Sequence, residues 1–183
     1  AITQQQVITL TNTERQKYGL PPVKENNKLD KAADEKAKNM VAENYWAHYS
    51  PSGITPWFWI KQAGYNYEYA GENLARGFSD SNSVVDAWMA SKMGHKENVL
   101  GKNYQEIGIA VEDGILDGQK TTLVVQMFVS TVGAIATHPS IGDSRIKDHK
   151  IETDVQSSEI PDCNPTGNSH KPKTTASQHF YIT

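Results

Sequence analysis

The sequence predicts an α+β fold in which several helices precede a β-hairpin. Apolar residues recur at helical spacing over residues 4–18 and again over residues 27–44. Over residues 106–112 apolar residues alternate with others, and over residues 121–129 they run almost without a break, as in a half-buried and a central strand. Helices grouped ahead of a hairpin are typical of α+β domains.

The first two helices carry start and stop signals. After residue 18, Gly19 and the Pro21-Pro22 pair end the first helical pattern. The second begins at Asn27, a residue type that caps helices, and repeats Leu, Ala and Met along one side. Its other side is a run of Lys, Asp and Glu, which we interpret as a solvated helix face.

Residues 46–75 hold three of the four tryptophans and four of the eight tyrosines. Thr55 followed by Pro56 predicts the start of a short helix. Alternating tyrosines at 65, 67 and 69 predict a half-buried strand that enters a turn at residues 71–73. We expect Trp46, Trp57 and Trp59 to serve first in packing, because aromatic side chains bury large apolar areas.

Helix-capping residues and alternating apolar residues predict the remaining elements of the domain. Ser81 or Ser83 is expected to cap a helix that Gly94 closes. In the strand over residues 106–112, Ile107, Ile109 and Val111 should share one face, with Glu106, Gly108 and Ala110 on the other. A turn over residues 113–118 then leads to the last strand.

Composition limits the class of protein. A chain of 183 residues with a net charge of −3 and no basic run fits one main core, a monomer, and no nucleic-acid partner. No apolar run approaches the roughly 20 residues of a membrane span, and residue 1 opens no targeting segment. The single Cys163 excludes a disulfide within the chain, and we expect it to be a surface thiol.

The composition changes near residue 137, which divides the chain into a domain over residues 1–136 and a polar extension over residues 137–183. The extension holds four of the eight prolines and four of the six histidines, His138, His149, His170 and His179. Its scattered apolar residues cannot form a core. The final S-Q-H-F-Y-I-T is expected to form a short strand, so that part of the extension packs on the domain or serves as a linker.

Candidate chemistry falls beside turns, at His48, Glu72, His95 and Glu106. Imidazole and carboxylate groups can hold a divalent metal or move protons, whereas the alternative is that they bond neighbouring backbone or tie a loop together. No H-E-x-x-H, G-x-S-x-G or glycine-rich phosphate loop is present. Residue types alone therefore leave both interpretations open.

Seven segments in a fixed order resemble the CAP superfamily of cysteine-rich secretory, antigen five and pathogenesis-related proteins, in its short bacterial form. They are N-T-E-R at 12–15, A-H-Y-S-P-S-G at 47–53, A-G-E-N-L-A at 70–75, V-V-D-A-W-M-A-S at 84–91, G-H-K-E-N-V-L at 94–100, Y-Q-E-I-G-I-A at 104–110 and V-V-Q-M-F-V at 124–129. The resemblance covers roughly residues 3 to 132.

This resemblance implies a three-layer α-β-α sandwich with a small antiparallel sheet, an open central cavity and a secreted or surface-associated location. It matches His48, Glu72 and His95 to cavity positions that bind a divalent cation such as zinc in some members. The fourth position is Ser91, where many eukaryotic members have a glutamate, and Glu106 is a candidate substitute. A hydroxyl replaces a carboxylate poorly as a cation ligand.

Three hypotheses follow. The first is a non-enzymatic extracellular protein whose cavity binds a cation or small ligand, and whose surface meets a host, cell-wall or lipid partner. The second is a metal- or histidine-dependent hydrolase, acting on peptide bonds through an activated water, with Glu72 or Glu106 as base. The third is a lipid-binding or protein-interaction module that uses an aromatic groove at Trp57, Phe58 or Trp59.

Overall fold

The computed structural model describes residues 1–132 and the backbone of Tyr181–Ile182. Its elements are α1 (Gln4–Lys17), β1 (Lys24–Glu25), α2 (Asn27–Ala42), α3 (Pro56–Gln62), β2 (Tyr67–Arg76), α4 (Ser81–Ala90), α5 (His95–Val99), β3 (Glu106–Leu116), β4 (Gln119–Thr131) and β5 (Tyr181–Ile182). Cys163, the domain boundary at residue 136 and the four histidines of the extension lie outside the described residues.

Five strands form one sheet in the order β1-β3-β4-β2-β5. Neighbouring strands are antiparallel except for the two-residue β1, which lies parallel to β3. The short strand expected at the C-terminal end is present, and it pairs with Ala75 and Arg76 of β2. The sheet therefore has the predicted small size, with one parallel pairing at its edge.

The hairpin between β3 and β4 is tighter than the sequence suggested. The strands stay paired to Leu116 and Gln119, so only Asp117 and Gly118 form the turn, and both have positive φ angles, 52° and 74°. Two such residues are typical of a type I′ turn, whose twist matches that of the strands it joins. The longer turn predicted over residues 113–118 was wrong for this reason.

Helices cover both faces of the sheet, which confirms the three-layer α-β-α sandwich. On one face α2 and α3 pack against the sheet around Leu29, Met40 and Ile60. On the other, α1, α4 and α5 pack around Val7, Trp88 and Val99. The predicted alternation in β3 is confirmed. Ile107 and Ile109 face the core that α1, α4 and α5 cover, whereas Ala110 faces the core that α2 and α3 cover.

Three helix ends differ from the prediction by a residue or more. Asn26 caps α2 and Asp80 caps α4, each accepting a hydrogen bond from a backbone N–H of the first turn. The sequence instead predicts Asn27 as the cap of α2, and Ser81 or Ser83 as the cap of α4. Gly94 does not end α4, which stops at Ala90; it precedes α5 in a left-handed conformation with φ of 94°.

Side chains of α4 and α5 cover part of the outer edge of β2. The indole N–H of Trp88 donates to the carbonyl of Leu74 at 3.1 Å, and the Asn98 amide donates to the carbonyl of Glu72 at 3.0 Å. An exposed strand edge is prone to pair with another chain, and these bonds occupy its acceptors. They also bring α5 against the strand that carries Glu72.

No helix within residues 1–132 or 181–182 combines the length and the apolar character that crossing a membrane requires.

Burial raises the pKa of four tyrosines, Tyr45, Tyr65, Tyr67 and Tyr104, above the ordinary value. The unfolded chain loses these protons near pH ~10, whereas the folded chain retains them, so the free energy of unfolding should fall as pH rises above that value. Denaturant midpoints between about pH 8 and pH 11 should therefore decrease, and tyrosinate absorbance should appear together with unfolding.

Tyr65→Phe should reduce this pH dependence, because it removes one of the four groups. Full tyrosinate absorbance near pH ~10 with the fold intact would contradict the expectation.

Candidate functional site

The centre of the site is a hydrogen-bonded pair, His48 and Glu72. His48 Nδ1 lies 2.7 Å from Glu72 Oε1, and the Glu72 side chain is only 2% exposed while that of His48 is 26% exposed. A carboxylate bonded to one ring nitrogen fixes the orientation of an imidazole and leaves its other nitrogen for a ligand. Two of the three residues that the resemblance matches to the cavity thus meet, 24 positions apart in the chain.

Glu72 and Asn73 lie within β2, and the turn predicted there was wrong. Glu72 pairs with Met127 and Asn73 with Gln126 of β4. Because side chains alternate across a strand, Glu72 faces the layer of α2 and α3, and Asn73 faces the layer of α1, α4 and α5. Neither residue ties a loop together.

Behind the pair lies Lys36 of α2, whose side chain is fully buried. Its ammonium donates to the carbonyls of Ala47 and His48, at 3.0 and 2.7 Å, and to the Tyr45 hydroxyl at 3.2 Å. Burial lowers the pKa of Lys36, and the nearby Glu72 carboxylate opposes that change. The interpretation of the charged side of α2 as solvated was wrong for this residue, which instead holds the segment that carries His48.

A pocket of about 280 Å³ opens at the His48–Glu72 pair. Its wall combines the polar pair and one amide with apolar and aromatic groups. The lining residues are His48, Tyr49, Pro56, Trp57, Ala70, Gly71, Glu72 and Asn98. The helix α3 supplies the apolar side, β2 the floor, and α5 the amide.

Asn98 belongs to a chain of amide hydrogen bonds that the sequence did not reveal. Asn98 Nδ2 donates to Asn73 Oδ1, Asn73 Nδ2 donates to Gln126 Oε1, and Gln126 Nε2 donates to the hydroxyl of Thr11, at 2.8, 2.9 and 2.9 Å. Asn73 and Gln126 are fully buried. Buried amides that satisfy one another define one orientation for each, so this chain of bonds connects α1 to Asn98 of the pocket along the sheet face that α1, α4 and α5 cover. The only local signal was a polar Gln126 inside an otherwise apolar strand.

His95 and Ser91 form a second pair beside the pocket. Ser91 Oγ lies 2.6 Å from His95 Nδ1, and the backbone carbonyl of His95 accepts from Asn73 Nδ2 at 3.1 Å. His95 is 4% exposed. Neither residue is among the residues of the pocket wall, and the His95 carbonyl is bonded to Asn73, which in turn is bonded to Asn98.

Glu106 faces the same side of the sheet as Glu72, two strands away in β3, and it joins α2 to the segment before β2. Its carboxylate accepts from the Asn26 amide at 3.0 Å and from the Tyr65 hydroxyl. Glu106 is not among the residues of the pocket wall. The Glu106 carboxylate therefore connects the start of α2 to the segment before β2, and its strand β3 is separated from β2 by β4.

The described residues do not fit a resident zinc ion. Protein zinc sites use three or four nitrogen, sulfur or oxygen ligands. Over residues 1–132, no three His, Cys, Asp or Glu side chains converge to hold a metal. His48 and Glu72 are bonded to each other, and His95 to Ser91.

The aromatic residues of α3 do not share one groove. Trp59 is buried in the core, Trp57 lines the pocket, and Phe58 is 42% exposed outside it. Phe58 packs edge-on against Trp59 with ring centres 5.1 Å apart. Trp46 and Trp57 also pack against the core, as expected from their residue type.

A three-layer α-β-α sandwich with a pocket at the outer edge of its sheet is the architecture of a known protein family. The sequence model of the cysteine-rich secretory protein family (CAP) matches residues 8–128, and the chain belongs to this family. The expectation drawn from its sequence segments is confirmed.

Two curated relatives come from Bacillus subtilis strain 168. The chain is 42% identical over 112 residues to the uncharacterised protein YkwD, covering 61% of this chain and 43% of YkwD. It is 26% identical over 110 residues to the uncharacterised membrane protein YlbC, covering 60% of this chain and 32% of YlbC. The chain thus matches less than half the length of either relative.

Solved structures show the same fold. An extracellular protein of Bacillus anthracis that contains an SCP domain superposes with a TM-score of 0.61 and 27% identity, covering 70% of this chain and 40% of that protein. An outer surface protein of Borrelia burgdorferi superposes with a TM-score of 0.58 and 24% identity, covering 68% of this chain and 90% of that protein.

Proposed function

We propose that this chain is an extracellular or surface-associated domain whose pocket at His48 and Glu72 binds a small molecule without transforming it. The location is supported by the extracellular and outer-surface proteins that share its fold. The observation that carries ligand binding is the pocket itself, where a nearly buried carboxylate orients a partly exposed imidazole beside an aromatic wall. Such a mixture of apolar wall and a few fixed polar groups is typical of ligand sites.

The proposed ligand is an organic molecule, because the described donors do not fit a bare metal ion. His48 supplies one free ring nitrogen, and Asn98 adds an amide. The backbone carbonyl of His95 supports the site indirectly, because it accepts from the Asn73 amide, whose oxygen accepts from Asn98. Ser91 contacts the His95 ring.

The test is a library of small molecules screened by NMR against the ¹⁵N-labelled chain. We expect binders to shift the signals of His48, Trp57 and Asn98. His48→Gln should abolish these shifts, because it keeps a donor for Glu72 but removes the ring, while Phe58→Ala should retain them. Binders that respond to Phe58→Ala and ignore His48→Gln would instead favour the interaction module that uses the exposed aromatic surface.

Hydrolysis is the second candidate, and the 2.7 Å contact between Glu72 and His48 is the observation that favours it. A carboxylate that orients an imidazole can prepare it as a general base. Over residues 1–132, however, no serine, threonine or cysteine side chain bonds to His48, so the base would have to activate water. Turnover of a peptide library that disappears in Glu72→Gln would support this candidate, and turnover unchanged by that substitution would indicate a contaminating enzyme.

A further inference from the structure

The side chains of the pocket offer hydrogen-bond acceptors. Asn98 Nδ2 uses its two hydrogens on the carbonyl of Glu72 and on Asn73 Oδ1, at 3.0 and 2.8 Å. A backbone carbonyl only accepts, so the amide orientation is fixed and Oδ1 is the atom left for a ligand. Asn98 therefore presents an acceptor.

The histidine presents a second acceptor. An ionised carboxylate also only accepts, so the proton between His48 and Glu72 belongs to His48 Nδ1. In the neutral ring Nε2 then carries a lone pair, and no hydrogen bond to it occurs within residues 1–132. Glu72 Oε2 is buried and also lacks a hydrogen-bond partner among these residues.

The charge of the site does not require a charged ligand. The Glu72 carboxylate lies near the buried ammonium of Lys36, which is held by the carbonyls of Ala47 and His48. The charges of the Glu72 carboxylate and the Lys36 ammonium thus offset each other next to the pocket. A carboxylate placed against His48 Nε2 and Asn98 Oδ1 would meet two acceptors, which burial would make costly. The donors of the lining, the Tyr49 hydroxyl and the Trp57 indole N–H, belong to other residues of the wall.

The remaining lining is mostly apolar. It consists of Tyr49 and of Pro56 and Trp57 of α3, and its polar atoms are the Tyr49 hydroxyl and the Trp57 indole nitrogen. The volume of about 280 Å³ lies just below the ~300 Å³ at which pockets for drug-sized ligands begin, so the space suits one ring more than a long lipid.

From these features we infer that the ligand is an uncharged saccharide, with its hydroxyls donating to His48 and Asn98 and one ring face lying on Trp57. This inference rests on the proposed ligand-binding function and names its chemical class. A sugar ring combines hydroxyl donors at its rim with C–H groups on its faces. It therefore satisfies the acceptors and covers the indole at the same time.

The experiment titrates the ¹⁵N-labelled chain with glucose, N-acetylglucosamine and their β-1,4-linked disaccharides. Choline and octanoate serve as a cationic and an anionic probe. We expect at least one sugar to shift the signals of His48, Trp57 and Asn98, and neither charged probe to do so. Trp57→Leu should weaken sugar binding at least tenfold, while Trp57→Phe and Phe58→Ala should keep it within about threefold.

The two substitutions at Trp57 separate loss of the ring from loss of the fold, because leucine and phenylalanine both fill apolar space. Sugar binding that is equal in Trp57→Leu and wild type would overturn the inference. Choline or octanoate shifting the pocket signals while the sugars do not would overturn the ligand class and leave the proposed function standing. If no probe and no library compound shifts the pocket signals, both the inference and the proposed function fail.

Discussion

Gly108→Ala is expected to destabilise the domain by about 3 kcal/mol, at the upper end of the range for overpacked cores. A Cβ at this position would lie 2.2 Å from the carbonyl carbon of Leu29 and 2.5 Å from the backbone nitrogen of Asp30. The helix α2 rests directly on β3 here, and Asp30 Oδ1 accepts from the backbone N–H of Ile109 at 2.9 Å. Relief of the clash therefore requires the helix to move as a body and to lose that hydrogen bond.

Gly114→Ala in the same strand is the matched control. The three atoms nearest to its Cβ would all belong to the Val41 side chain, the two methyl groups at 2.6 and 2.8 Å and the Cβ at 3.3 Å. A side chain can rotate where a helix backbone cannot, so we expect a smaller loss. Urea unfolding of both variants measures the difference, and a loss at Gly108 equal to or below that at Gly114 would contradict the expected contact.

Arg15→Met should destabilise the domain by about 3 to 5 kcal/mol, because it removes the donors of four backbone carbonyls. The Arg15 side chain is fully buried. Its guanidinium donates to the carbonyls of Pro21, Val99, Gly101 and Tyr104, at 3.0, 2.9, 2.9 and 3.3 Å. Methionine fills much of the same volume and leaves these acceptors without partners.

Arg15→Lys provides the control for charge. A single ammonium retains the positive charge but lacks the planar fork that reaches several carbonyls at once. We expect its stability to lie between those of wild type and Arg15→Met in denaturant unfolding. Wild-type stability in Arg15→Met would show that these carbonyls find water or other donors.

The fold was predictable where the sequence carries a local period. The helices α1 and α2 and the strands β3 and β4 follow from repeats of apolar residues, and their bounds shift by only a few positions. The region of Glu72 and Asn73 was not predictable from local signals, because Gly, Glu and Asn are typical of turns. What makes this segment a strand is pairing with β4, about fifty residues later in the chain.

The site was predictable only in part. The resemblance predicts His48 and Glu72 as site residues, and the structure brings them within hydrogen-bonding distance. Lys36 was not found, because one buried lysine cannot be distinguished by pattern among the charged residues of α2. The role of Asn98 was not predictable, because it depends on a hydrogen bond to Asn73, whose side chain lies on the opposite face of the sheet from Glu72.

The protonation of the His48 ring tests most directly the central claim that the pocket binds its ligand through acceptors. The measurement is the ¹⁵N chemical shift of both ring nitrogens at about pH 8, where histidine is ordinarily neutral. We predict a protonated Nδ1, bonded to Glu72, and an unprotonated Nε2 whose signal moves when a hydroxyl-bearing ligand is added. A proton on Nε2, with Nδ1 bare, would show that the pocket presents a donor and would contradict this account.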